Sequence, residues 1–196
     1  AQFLESLELY EPKAVGYLID MTHVQQVNPS LFQSEWAKRF VASSERITKR
    51  GSTFLMGTPF EVTGEVLPPP PLNTLPHSVA VVHRDGNVFS EDKITRRALL
   101  SLYERPVFHL ELARALNVIG SDELPRGAFY VPEVDGQYFF FRYHSTTILD
   151  KKRASEDAYP IYSFSDILKN RIPHAFLKGK IILVGTQLGL RYRLIA

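Results

Sequence analysis

The chain has 196 residues, 44% of them hydrophobic and 22% charged, and its 23 Lys and Arg against 21 Asp and Glu leave a net charge of +2. That length suits one large folded domain better than two, and the composition excludes wholesale disorder and fibrous repeats. The near balance of charge gives no basis for binding nucleic acid, and the absence of cysteine removes disulfides, thiol nucleophiles and thiolate metal sites.

In chain order, Phe3, Leu4 and Leu7 fall at helical spacing and Pro12 ends that helix. The apolar run 14–19 reads as a buried strand that stops at Asp20. Asn28-Pro29-Ser30 with Gln33 three residues on predicts a capping box, and Phe32, Trp36, Phe40 and Ile47 stripe the helix that follows. Gly51 is placed to stop it before a strand at 53–56. Helix, strand, helix, strand is the rhythm of an α/β layer whose helices cover a largely parallel sheet.

That rhythm breaks at Pro68-Pro69-Pro70-Pro71, where four prolines predict extended polyproline geometry in a long surface loop that acts as a stiff spacer. A strand at 79–82 leads to a turn at Asp85-Gly86-Asn87. Pro106 opens a predicted helix with Phe108, Leu112, Ala115 and Leu116 facing inward and Gly120 closing it. Strands at 129–131 and 138–143, joined through Asp135-Gly136, predict an antiparallel hairpin, so the sheet is expected to be mixed. A polar loop spans 144–160.

The last quarter is the most specific. Ser163 stands three residues ahead of Asp166, which predicts a capped short helix; Pro173 breaks it. Lys178-Gly179-Lys180 then turns the chain into Ile181-Ile182-Leu183-Val184, an apolar run expected to form a central strand that ends at Gly185-Thr186.

This order resembles the CHASE2 family of bacterial extracytoplasmic sensor domains, in which a Ser-x-x-Asp-x-Leu segment precedes a Gly-Lys-Ile-x-Leu-x-Gly strand; here these are residues 163–168 and 179–185. Asp85-Gly86 followed by Arg96 or Arg97 is similar to that family's Asp-x-Asp-Gly-x-x-Arg region, and Gly16 with Asp20 to the Gly-x-Asp strand near its start. The resemblance implies one α/β sensor domain over 1–196, a piece of a larger membrane receptor held at the inner membrane by flanking segments and facing the periplasm. It implies no catalysis in this domain. The output, outside this chain, would be a nucleotide cyclase, a diguanylate cyclase or a histidine or serine/threonine kinase. The receptor is expected to be a homodimer with an unknown small-molecule or protein ligand.

Ligands of open α/β sheets bind beyond the carboxyl ends of the strands, which makes Asp20, Thr22 and His23 pocket candidates. Arg142, Tyr143 and His144 end an aromatic strand in the same manner, and an arginine among aromatics suits a carboxylate or other anion. A salt bridge from Arg142 to Asp20 or Asp166 is the competing account. In Phe139-Phe140-Phe141 the expected pattern is core residues around a middle one that faces an interface. Of the six histidines, His23, His83, His109 and His144 stand near expected strand ends or helices, but none has ligand spacing to another, so no metal and no cofactor is expected. The turn from Gly185 to Gly189 lacks the Lys-Ser/Thr of a phosphate loop. Two rival readings stay open: a hydrolase or nucleotide-binding enzyme with Asp20, His23 and Gly185 around one cleft, and an interaction module without a small ligand.

Overall fold

The structure is a computed structural model in which residues 1–61, 64–80, 97–140 and 160–185 are described. Helix α1 (Gln2–Glu8) leads to strand β1 (Ala14–Tyr17), then α2 (Met21–Val27), α3 (Ser30–Gln33) and α4 (Glu35–Lys49). Next come β2 (Thr53–Thr58), β3 (Phe60–Glu61), β4 (Gly64–Glu65) and, after a one-turn 3-10 helix at Leu72–Thr74, β5 (His77–Val79). The second half holds β6 (Arg97–Leu102), β7 (Arg105–Pro106), α5 (Phe108–Ala115), β8 (Phe129–Val131), β9 (Gly136–Phe140), α6 (Phe164–Leu168), α7 (His174–Leu177) and β10 (Ile181–Val184).

Two four-stranded sheets organise these elements. One is parallel, in the order β10-β1-β2-β5; the other is antiparallel, in the order β7-β6-β9-β8. A parallel bridge between Val79 and Val107, with Ser78 Oγ donating to the Pro106 carbonyl at 3.2 Å, sets the second sheet against the edge of the first. The α/β reading with mixed strand directions is therefore borne out, with the parallel and antiparallel strands grouped separately.

Alternation along the strands sorts the core. Val15, Tyr17, Phe54, Met56 and Val184 pack against the apolar faces of α1, α4 and α6. On the opposite face Ala14 and Leu55 meet Phe108 and Leu112 of α5. A third cluster of Leu99, Val107, Val131 and Tyr138 belongs to the antiparallel sheet.

Several local expectations hold for local reasons. Gly51 follows α4 at φ +88°, where a left-handed backbone costs a glycine little. Asp135, also left-handed, turns β8 into β9 as the expected hairpin. Ser163 Oγ accepts from the Asp166 amide at 3.1 Å and the Ser163 amide donates to Asp166 Oδ2 at 3.4 Å, which completes the capping box; the Ser163 hydroxyl also donates to Oδ2 at 2.6 Å. That hydroxyl, with the Ser163 amide and Arg171 behind it, holds the Asp166 carboxyl below the usual carboxylate range. A depressed carboxyl pKa contributes stability above the unfolded value that is lost as pH falls through the folded one. Ser163→Ala is expected to cost about 1 kcal/mol at neutral pH. In denaturant titrations repeated at falling pH, the gap to the parent should narrow below the carboxylate range and keep the part due to the Asp166 amide, from which Ser163 Oγ accepts at any pH.

Other expectations are corrected. Ser30 makes no capping box: the first turn, α3, ends at Ser34, which accepts from the Trp36 amide and starts the long helix instead. Pro106 belongs to β7, and Val107 is the residue before α5. The proline run is neither a surface spacer nor straight, because Pro68 and Pro69 are buried and the Leu72 amide closes a turn on the Pro69 carbonyl at 2.8 Å. Leu72 and Leu75, beyond it, are core residues, and burying them bends the run. Among the described residues β10 is an edge strand, not a central one, and Ile181 and Leu183 stay 51% and 54% exposed. The turn at 85–87 and most of the loop 144–160 lie outside the described residues.

Candidate functional site

From β1 the chain steps outward to β2 and β5, then returns to the other flank of β1 as β10. The strand order thus reverses between β1 and β10, and a crevice opens beyond the carboxyl ends at such a switch point. Asp20, Thr22 and His23 follow β1 at that edge, and Gly185 follows β10 beside it, since the Leu18 amide bonds the Val184 carbonyl at 2.7 Å.

Asp20 does not sit in a loop. It is the N-cap of α2, a helix absent from the sequence expectations, and its Oδ1 accepts from the amides of Thr22 at 2.9 Å and His23 at 3.1 Å. Capping uses one carboxylate oxygen; Oδ2 has no hydrogen-bond partner among the described residues. Asp20 and His23 are exposed and Thr22 is half-buried. The edge therefore presents an acceptor oxygen, a hydroxyl and an imidazole, a set suited to ligand ammonium or hydroxyl groups. Arg142, Tyr143 and His144 lie outside the described residues, as do His83 and the 186–189 part of the glycine turn.

Farther along the same edge is a network with no sequence signal. Thr58 Oγ1, ending β2, donates to Glu65 Oε1 at 2.7 Å, and Arg105 Nη1 reaches Glu65 Oε2 at 3.3 Å. These residues come together only because β4 and β7 fold onto the end of β2, and no spacing between them announces it.

In the antiparallel sheet Phe139 is half-buried and Phe140 is 65% exposed, as the expectation of an outward middle residue has it; Phe141 is outside the described residues. Phe140 stacks on Phe129 with ring centres 5.2 Å apart. Arg97 places its guanidinium 5.9 Å from the Phe140 ring centre, and Arg96 is not among the described residues.

A cavity of about 500 Å³ lies at the opposite end of the sheet, lined by Glu8, Glu11, Pro12, Ile47, Arg50, Gly51 and Ser52. Its buried carboxylate, Glu8, is held by Arg46 Nε at 2.9 Å and Arg50 Nη2 at 3.1 Å, which ties α1 to the end of α4. This wall is a structural ion-pair network, and the amino ends of strands are not where open sheets place ligands. Among the described residues no group of three or more His, Asp or Glu side chains is arranged to hold a metal ion, and no helix is long and apolar enough to cross a membrane.

Residues 1–192 match the family model of the CHASE2 domain. Neither the curated proteins nor the solved structures contain a match to the chain. The match runs from α1 through β10 and takes in both segments that carry the sequence resemblance, the capped helix at Ser163 and the strand after Gly179. The chain belongs to the CHASE2 family of extracellular sensor domains.

Proposed function

We propose that the chain is the ligand-sensing part of a bacterial transmembrane receptor, that it lies on the periplasmic side, and that its ligand contacts are at the switch-point edge. The observation that carries the reading is the exposed carboxylate of Asp20 at that edge, with one oxygen spent on the cap of α2 and the other without a hydrogen-bond partner among the described residues. Thr22 and His23 complete the contact set on α2; Arg142, Tyr143 and His144 stay ligand candidates on their sequence alone. Binding there favours one of two arrangements of a homodimer, and flanking membrane segments pass the difference to a nucleotide cyclase, a diguanylate cyclase or a protein kinase. The domain itself carries out no reaction.

The test separates capping from binding. Asparagine caps a helix about as well as aspartate, whereas alanine costs about 1 kcal/mol. Asp20→Asn is therefore expected to keep the parent's melting temperature, and Asp20→Ala to lower it. In a thermal-shift screen of amino acids, amines and polyols, both variants should lose the stabilisation that a true ligand gives the parent. A ligand that stabilises parent and Asp20→Asn equally would place the site elsewhere. The reading frame supplies a second check: membrane spans on both sides and an output domain are expected, and a free-standing soluble frame would overturn the receptor reading.

A further inference from the structure

The segment that follows α1, residues 9–13, meets the stretch between α6 and β10 through side-chain and backbone contacts. Tyr10 Oη donates to Asn170 Oδ1 at 2.9 Å, across 160 residues of chain. His174 brings Nε2 to 3.0 Å from the Leu9 carbonyl and stacks its ring on Tyr10, with centres 6.0 Å apart. Lys178 Nζ pairs with Glu11 Oε2 at 2.7 Å. Backbone bonds continue the seam, from the Gly179 amide to the Glu11 carbonyl at 2.9 Å and from the Lys13 amide to the Lys180 carbonyl at 2.8 Å.

Two residues of the seam have left-handed backbones. Glu11 has φ +49° and Asn170 φ +50°, left-handed conformations that asparagine tolerates and glutamate does not favour. Such a residue persists where its surroundings over-determine it. Glu11 is gripped at both ends, its carbonyl by the Gly179 amide and its carboxylate by Lys178, so release of either grip lets the strained turn relax. A contact that stores strain and spans two elements opens in one step.

We propose that Tyr10, Glu11, Asn170, His174 and Lys178 form a releasable clasp that makes α1 and the α7–β10 segment open and close as one cooperative unit, separate from α5 on the other face of the sheet. The clasp does not depend on the receptor reading. Within such a receptor it would make a displacement at either element reach both together.

Hydrogen exchange on the 196-residue chain tests it, with Tyr10→Phe, Lys178→Met and the double variant. Tyr10→Phe removes one oxygen and should raise exchange in peptides covering α1 and β10 in parallel by about fivefold, the factor one ordinary hydrogen bond gives; Lys178→Met, which removes an exposed ion pair, should raise it in the same peptides by about twofold. Peptides covering α5 should keep their parent rates. The double variant should raise exchange by about the product of the singles in both sets of peptides, because one opening breaks both contacts. Exchange that rises in α1 while β10 stays protected, a double variant that affects the two elements unequally, or an equal rise in α5 would each overturn the clasp. Should Lys178→Met fail to fold, the parent at low and high salt gives the same reading, since the exposed Glu11–Lys178 pair is screened by salt.

Discussion

Gly16→Val is expected to destabilise the chain by about 3 kcal/mol and to lower its melting temperature by roughly 6 to 12 °C. Gly16 lies in β1 with its missing side chain directed at α5: a Cβ there would come to 2.8 Å from Leu183 Cδ2 and 2.8 Å from Phe108 Cζ. Those two neighbours differ in how far they can yield. Leu183 is half-exposed on the edge strand, so its tip can swing outward at little cost. Phe108 is buried among Ala14, Leu55 and Leu112 and has no empty space to enter. The cost therefore comes from pushing α5 off the sheet. Trimming the obstacle should recover part of it, so the double variant Gly16→Ala, Phe108→Leu is expected to be more stable than Gly16→Ala with Phe108 intact. Equal stabilities would show that Leu183, not α5, takes the strain.

That glycine illustrates what could be read from residues alone. Gly16 and Asp20 drew notice together as one short pattern, yet each has a local structural reason, close approach of α5 for the first and capping of α2 for the second. The Ser163–Asp166 box and the turn at Asp135-Gly136 were legible because their bonds close within a few residues. The place of β10 was not, because a run of Ile, Ile, Leu and Val forms a strand at an edge as readily as in the middle. The order of strands depends on partners more than a hundred residues away. The proline run misled for the same reason, since the burial of Leu72 and Leu75 in the α4 core outweighs the preference of isolated prolines for extended geometry.

The candidate site divides along the same line. Asp20 could be found because carboxyl ends of strands are where open sheets bind ligands, a rule that needs only the strand to be recognised. Helix α2 escaped notice although Asp20 is a good cap, because Met21 is its one buried residue and no apolar stripe marks it. Glu65 was invisible, its partners Thr58 and Arg105 being brought to it by separate elements.

Phe40→Ala is expected to be the most damaging substitution in the α4 face, with a loss of about 4 kcal/mol. Phe40 is almost wholly buried and is the hub of an aromatic cluster: Tyr17 meets it edge-on at 5.1 Å between ring centres, Trp36 lies at 5.3 Å and Phe54 at 6.3 Å. Removing the ring empties a volume walled by a helix and a sheet, neither of which can close in without losing its own contacts. Tyr17 reports on this directly. Burial pushes its phenol up to about 12 from an ordinary value near 10. A raised folded pKa means that the stability Tyr17 contributes is fully present below the unfolded value and is lost as pH rises towards the folded one. In the parent, an alkaline titration followed by tyrosinate absorbance, compared with that of Tyr17→Phe, should show the Tyr17 phenol titrating late, with unfolding setting in over the same range. In Phe40→Ala, water reaching the vacated space should bring that phenol back towards the others. Phe40→Leu, which keeps most of the volume, should leave it late and cost less than half as much. A late phenol that survives Phe40→Ala would mean that Tyr17 is shielded by Phe54 and the sheet, and that α4 settles into the gap.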